Sequence, residues 1–467
     1  MTQISTKPAS GMRDFLPAEA ARRKRVFDLI EEVYQSYGFE PLETPSMERL
    51  TTLLGKYGEE GDQLLFKVAK RGKKLTRALA KEAPEELDIT DHGLRYDLTV
   101  PLARIVAQYQ NELPRFFKRY QIAPVWRADR PQHGRFREFY QCDVDVVGST
   151  SMTVEAEVSS ALAEVLQRLG FGEFRIHVNH RRLLSAIMEK AGIAQEKQNG
   201  ALISIDKLDK VGRNEVMREL EEERGIAPDI IDTLLLLLGD LPGAETDNEA
   251  VLNRLRDAVG DLEDGEAALD DLEALLTFAG DGPAAPHLVV DPYLARGLAY
   301  YTGPIFEIRS EQASGSIGGG GRYDELVGMF TKQSLPACGF SLGIERILLI
   351  MEEQGMFDDE PPPADVLVTL WNDELTPQSM RLARELRSTG LRVDLYPDTD
   401  RYGKQFKYAD QRNIPFVAIL APDEVEAGVV AMKDMKSGDQ AKIEGSKVAG
   451  WIQEKLAGSD AGGEGDE

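Results

Sequence analysis

The sequence predicts an α+β protein: an antiparallel sheet flanked by helices, interrupted by a helical insertion and followed by a small α/β domain. Three observations carry this. Strand patterns fill much of the first 180 residues and return from about residue 281. Between them the chain is acidic, leucine-rich and helical in pattern, broken at Gly225, Gly239, Gly260 and Gly280. After a linker at Pro361–Pro363, apolar strands alternate with helices, the mark of a partly parallel sheet. At 467 residues the chain is too long for one core. The expected parts are a core of 1–180 with 281–358, an insertion at 181–280, an α/β domain at 364–456 and a disordered acidic tail at 457–467.

Ala18–Tyr37 has helical apolar spacing (Val26, Leu29, Ile30, Val33) and Gly38 ends it. Pro41 and Pro45 suit an extended edge segment. Leu64–Ala69 and Gly93–Thr99 read as strands, and Val100–Gln110 as a helix. Tyr120–Trp126 and Arg135–Val147 read as two strands around a polar loop, Arg127–Gly134. Thr153–Leu169 is a helix stopped by Gly170. Strand signals resume at His287–Val290 and run through Ile308, and Ala337–Glu353 passes from strand to helix. In the last domain ADVLVTL, LRVDLY and PFVAIL read as strands, with helices at Pro377–Ser388, Gly403–Asn413 and Ser446–Leu456.

Composition excludes several classes. The chain is 42% hydrophobic and 29% charged, as an ordinary globular protein is, and no apolar run approaches the roughly 18 to 20 residues of a membrane span. The first ten residues lack a secretory apolar stretch. Cys142 and Cys338 lie far apart, which predicts neither zinc site nor disulfide and points to a reducing, cytoplasmic compartment. The five histidines have no metal-site spacing, and His177 and His180 fall on opposite strand faces. A net charge of −25 opposes nucleic acid as a partner only weakly, because local basic clusters survive it.

The chemistry gathers in a few segments. Arg127–Phe139 holds Arg127, Arg130, Arg135 and Arg137 in a strand-loop-strand, with alternation sending Arg135 and Arg137 to one face. Guanidinium forks beside an aromatic ring suit a nucleotide; the alternative is a basic surface hairpin. Gln141, Asp143 and Asp145 share one face of an otherwise apolar strand, where acids must be paired or used. Asp97 and Thr99 form another same-face pair, suited to an ammonium group unless they merely face solvent. Arg296 precedes Tyr300 and Tyr301, of which a strand would turn only one into a given pocket. Gly318–Gly321 permits close backbone approach but lacks a recognised phosphate spacing. Arg346 opens an apolar helix, against the helix dipole and therefore poorly explained by structure alone.

Taken in order, these segments resemble class II aminoacyl-tRNA synthetases. Pro45 falls at the dimer-forming first motif, Arg127–Phe139 at the second and GFSLGIER at the third. RYDLTVPLAR, REFYQCDVDVVG and ARGLAYYTG resemble the histidyl-tRNA synthetase family in particular. The resemblance implies ATP-dependent attachment of L-histidine to its tRNA through an adenylate, with Mg2+ on the nucleotide and a homodimer. It implies that Asp97, Thr99 and Gln141 hold the α-ammonium group, with Leu98 and Tyr300 in the same histidine site, and that Asp145 and Tyr301 read the imidazole. Arg127 and Arg296 would be the catalytic pair on the α-phosphate and carboxylate. Asp129, Arg135, Phe139 and Arg346 would bind ATP, and Arg130 and Gln132 the tRNA. Asp129 replaces the usual glutamate, and Ala299 a common aspartate. The competing reading is a catalytically silent relative, the regulatory subunit of ATP phosphoribosyltransferase, which typically lacks the C-terminal domain.

Overall fold

A computed structural model describes residues 4–56, 58–239, 247–295, 300–312, 315–331, 333–357 and 361–460. The chain forms two units, Met1–Phe357 and Asp358–Glu467. The first is built on an eight-stranded sheet. Its strands are β1 (Glu40–Pro41), β2 (Phe117–Trp126), β3 (Glu138–Val147), β4 (Arg175–His180), β5 (Leu288–Val290), β6 (Pro304–Arg309), β7 (Gly318–Arg322) and β8 (Ala337–Gly343), in the order β1-β2-β3-β8-β7-β6-β4-β5. The six central strands are antiparallel, and parallel pairs close both edges. A separate three-stranded sheet comprises Met47–Arg49, Thr90–Leu94 and Lys67–Ala69.

One face of the large sheet is apolar because alternate strand residues are. Cys142, Val144 and Val146 of β3, Phe340 and Leu342 of β8, and Phe306 and Ile308 of β6 are all buried there. The helix Pro17–Ser36 joins the same core with Val26, Ile30, Val33 and Tyr34, and Thr153–Arg168 with Val158, Leu162 and Val165. Pro17 starts the first of these helices, where its missing N–H costs nothing. The insertion is a run of helices from Arg181–Ala191 to Glu263–Ala279. Asp271 ties its last helix to the end of β4, 3.2 Å from His180 Nε2 and 2.9 Å from Arg182.

The second unit has strands β9 (Val366–Val368), β10 (Val393–Leu395), β11 (Phe416–Ile419), β12 (Val429–Asp434) and β13 (Gln440–Glu444), ordered β10-β9-β11-β12-β13. The first three are parallel; β9 and β11 are buried on both faces, which explains their unbroken apolar runs, while β10 at the edge is half-buried and carries Asp394. Val366, Val368, Phe416 and Ala418 pack on the helix Thr376–Ser388, while Leu367, Val417 and Ile419 meet Ala409 of the helix Tyr402–Gln411 on the other side. The hairpin β12–β13 and the helix Pro422–Ala427 had no counterpart in the sequence reading. The last helix runs Val448–Asp460, so residues 457–460 of the expected tail are helical, and 461–467 lie outside the described residues.

Candidate active site

Cross-strand register builds the site. Arg119, Gln121 and Ala123 of β2 stand opposite Asp145, Asp143 and Gln141 of β3, which stand opposite Gly339, Ser341 and Gly343 of β8. Gly321 and Gly319 of β7 continue the rows. Polar side chains and glycines therefore share one face across four strands, and the space above the glycines becomes a cavity of about 180 Å³. Tyr96, Asp97, Thr99, Arg127, Gln141, Asp143, Asp145, Tyr300, Tyr301, Tyr323 and Ser341 line it. Gly339 is required by space, since a Cβ there would sit 1.8 Å from Asp145 Oδ1.

The pocket is buried and largely pre-paired. Arg119 Nη2 lies 2.7 Å from Asp145 Oδ2, and Arg119 has no exposed surface. Tyr323 donates its hydroxyl to Asp145 Oδ1. Gln141 Nε2 donates to Ser341 Oγ at 2.8 Å and to Asp143 Oδ1 at 3.3 Å. Its Oε1 is buried without a partner, an open acceptor at the cavity wall. Burial pushes Asp143 up to about 7, against Arg119 and with help from neighbouring Asp145. Burial also raises Asp145, with Arg119 and Tyr323 opposing. Burial raises the Tyr300 and Tyr323 phenols, keeping them neutral donors.

Arginines gather beside this pocket. Arg127 donates to the Tyr96 carbonyl at 3.1 Å and sits 4.3 Å from the Tyr96 ring centroid and 5.1 Å from that of Phe139. Asp129 accepts from Arg135 at 2.8 Å, and its carbonyl accepts from Arg137 at 2.9 Å. Gln132 and Arg135 exchange backbone hydrogen bonds around Gly134, whose φ of +71° closes the loop tip. Arg346 donates to the Ser316 carbonyl, and burial lowers its proton affinity, followed by the charge of Arg135.

Several expectations need correction. Asp97 and Thr99 are not on a strand: Asp97 precedes the helix Thr99–Tyr109 and accepts from the Val100 N–H, capping the first turn. Leu98 does not line the cavity; it packs with Ala123, Val125 and Phe139, and its carbonyl accepts from Arg119. Phe139 also lies outside the lining. Arg135 and Arg137 precede β3 rather than alternating along it, so Asp129 rather than a shared face organises them. Tyr300 and Tyr301 both line the cavity, because the chain has not yet become extended there and β6 starts at Pro304. Arg296 and Ala299 lie outside the described residues. Arg130 and Gln132 are exposed at the loop tip.

Sequence reasoning missed Arg119, Tyr323 and Ser341. The signal for Arg119 was a charge two residues from Phe117 and Gln121 on one strand face, costly to bury there unless paired. His177 is 2.9 Å from Asp291 and His180 bonds to Asp271, and among the described residues no His/Cys/Asp/Glu group suits a metal ion. Both cysteines are free and buried. A more open cleft of about 380 Å³ lies in the second unit, but Arg387, Arg392 and Arg412 there are turned to the Val393 carbonyl, Asp365 and the Tyr408 hydroxyl.

The antiparallel sheet, its polar pocket and the arginine loop agree with the class II aminoacyl-tRNA synthetase plan that the sequence resembles. A profile for histidyl-tRNA synthetase matches residues 11–347, and one for an anticodon binding domain matches 365–455. A histidine--tRNA ligase of Porphyromonas gingivalis is 43% identical over 441 residues, covering 93% of this chain and 96% of that one. One of Gloeobacter violaceus is 41% identical over 456 residues, covering 93% and 95%. The crystal structure of histidyl-tRNA synthetase from Nostoc sp. PCC 7120 superposes with a TM-score of 0.80 at 31% identity, covering 97% of this chain and all of that one. The chain belongs to the histidyl-tRNA synthetase family.

Proposed function

We propose that this chain attaches L-histidine to its tRNA in two steps at the β3–β8 pocket. The observation that carries the reading is an acidic, buried pocket lined by Arg127 and by Gln141, whose Oε1 is an open acceptor. Asp97, Thr99 and Gln141 take the α-ammonium group. Asp145 and Tyr301 read the ring, and Tyr300 closes over it. The substrate carboxylate then attacks the α-phosphorus of ATP, diphosphate leaves, and Arg127 with Arg296 stabilises the charge that builds on the phosphate oxygens. Arg135 and Arg346 hold the outer phosphates, Asp129 orients Arg135, and Phe139 offers its ring to adenine. Mg2+ enters as the salt of ATP, needing one or two carboxylates at most, and Glu307 lies close enough to Arg346 to raise its proton affinity.

The ribose hydroxyl at the 3′ end of the tRNA next attacks the adenylate carbonyl, and AMP leaves. Arg130 and Gln132 meet the acceptor end. The second unit takes the anticodon arm, with eight basic residues against five acidic ones between Arg381 and Arg412. A second copy completes the assembly through the Ala18–Tyr37 and Pro41–Pro45 segments, and compartment and redox state follow those of cytoplasmic translation. The regulatory-subunit alternative has less support: relatives matched over nearly their whole length are ligases by name. ATP–pyrophosphate exchange with each of the twenty amino acids tests the reading. Histidine alone should support it; no exchange with histidine would overturn it. Light scattering should return twice the chain mass.

A further inference from the structure

We infer that Arg13 is a positioning residue for the nucleotide: it straps the Arg127–Phe139 loop to the helix that carries Arg346. The inference rests on the reading of that loop as the ATP site. The anchor is Glu345, next to Arg346 on the helix Ile344–Glu353. Its carboxylate is buried and accepts two bonds from Arg23, at 2.7 and 2.8 Å, and one from the Tyr140 N–H at 3.3 Å. Arg23 thus neutralises Glu345 in a fork, and Arg13 is not needed for that purpose.

Arg13 nevertheless pairs with the same carboxylate, and its guanidinium lies 3.5 Å from the centroid of the Phe136 ring, inside the loop. Around it the N-terminal segment grips the loop backbone. The Gly11 carbonyl accepts from the Arg137 N–H at 2.8 Å. Gly11 has φ +80°, and a Cβ there would sit 2.8 Å from Arg137 Cγ and 3.0 Å from Pro131 Cγ. Arg137 in turn holds the Asp129 carbonyl, and the Asp129 carboxylate holds Arg135. A continuous chain of contacts therefore runs Glu345, Arg13, Phe136, Arg137, Asp129, Arg135. It fixes the spacing between Arg135 on the loop and Arg346 on the helix, the two cations read as the phosphate grip. Removing Arg13 leaves Glu345 paired with Arg23 and cuts only the tie to the loop.

The test is steady-state ATP–pyrophosphate exchange with the full chain. Arg13→Gln should raise KM for ATP about tenfold, the scale of a partly desolvated cation over an aromatic ring, with KM for histidine and Tm little changed. Arg13→Lys should recover part of the loss, and Lys24→Gln, which breaks the exposed Lys24–Asp28 pair on the following helix, should leave both KM values unchanged. Phe136→Leu should reproduce the defect, and the double variant Arg13→Gln/Phe136→Leu should be no worse than either single one. An unchanged KM for ATP, a parallel rise of both KM values with a fall in Tm, or multiplied effects in the double variant would overturn the strap. A wild-type protein without histidine-dependent exchange would instead remove the ATP-site reading itself.

Discussion

The two ends of the cleft are built on opposite plans. The end proposed for the amino acid is buried, acidic and already hydrogen-bonded: Asp145 is held by Arg119 and Tyr323. The end proposed for the nucleotide is open and cationic, with Arg130, Gln132 and Arg135 exposed around a two-residue turn, His133–Gly134. Burial makes a misfit costly, because an isostere leaves paired groups unpaired, so the first end suits discrimination. Exposed charge is cheap to hold and strong toward phosphate, so the second suits binding and rate.

Breaking the buried end should have the largest effect. Arg119→Met leaves the Asp145 carboxylate buried and uncompensated, and removing one partner of such a pair costs about 3–5 kcal/mol; thermal denaturation should show it, and a Tm near wild type would mean the pair is dispensable. Next comes Arg127→Ala, which removes a stabilising donor and should slow histidine-dependent exchange about 100- to 1000-fold with the fold intact. A loss of only a few-fold would take Arg127 out of the chemistry.

The pH response sharpens the contrast further. Asp143 is raised to about 7 from an ordinary carboxylate value of about 4, so the folded protein binds the extra proton between these values. Stability contributed by the neutral form is full below about pH 4 and is lost as pH rises toward about 7. Asp143→Asn, neutral throughout, should flatten that part of the stability profile; an unchanged slope would mean Asp143 is not its source. The smallest effect is expected at the exposed tip. If Gln132 reads a base of the acceptor end, Gln132→Ala should cut discrimination against histidine tRNA altered at that end by about 1 kcal/mol, the low end for a base contact. Equal charging ratios in mutant and wild type would assign the loop another task.

How much of this was legible follows the same division. The face shared by Gln141, Asp143 and Asp145 could be read from a two-residue period alone, and the structure keeps it. Arg119 and Ser341 meet that face only through register between strands, Ser341 from 200 residues beyond Gln141, which no local pattern encodes. Tyr300 and Tyr301 were misread because alternation was applied before the strand begins. The hairpin β12–β13 was missed because β13 is a mostly exposed, polar edge strand with little apolar signal. The glycine run, weak as a motif, makes sense only between its neighbouring strands, where a Cβ at Gly320 would meet the Gly339 carbonyl and one at Gly321 the Pro304 carbonyl and the Tyr301 ring.

The division of labour itself is tested most directly by two KM values measured in the same exchange assay on Asp145→Ala and Arg135→Ala. Asp145→Ala should raise KM for histidine at least tenfold with KM for ATP nearly unchanged, about 1.4 kcal/mol or more confined to one substrate, and Arg135→Ala should do the reverse. Equal shifts for both substrates in both variants would contradict it.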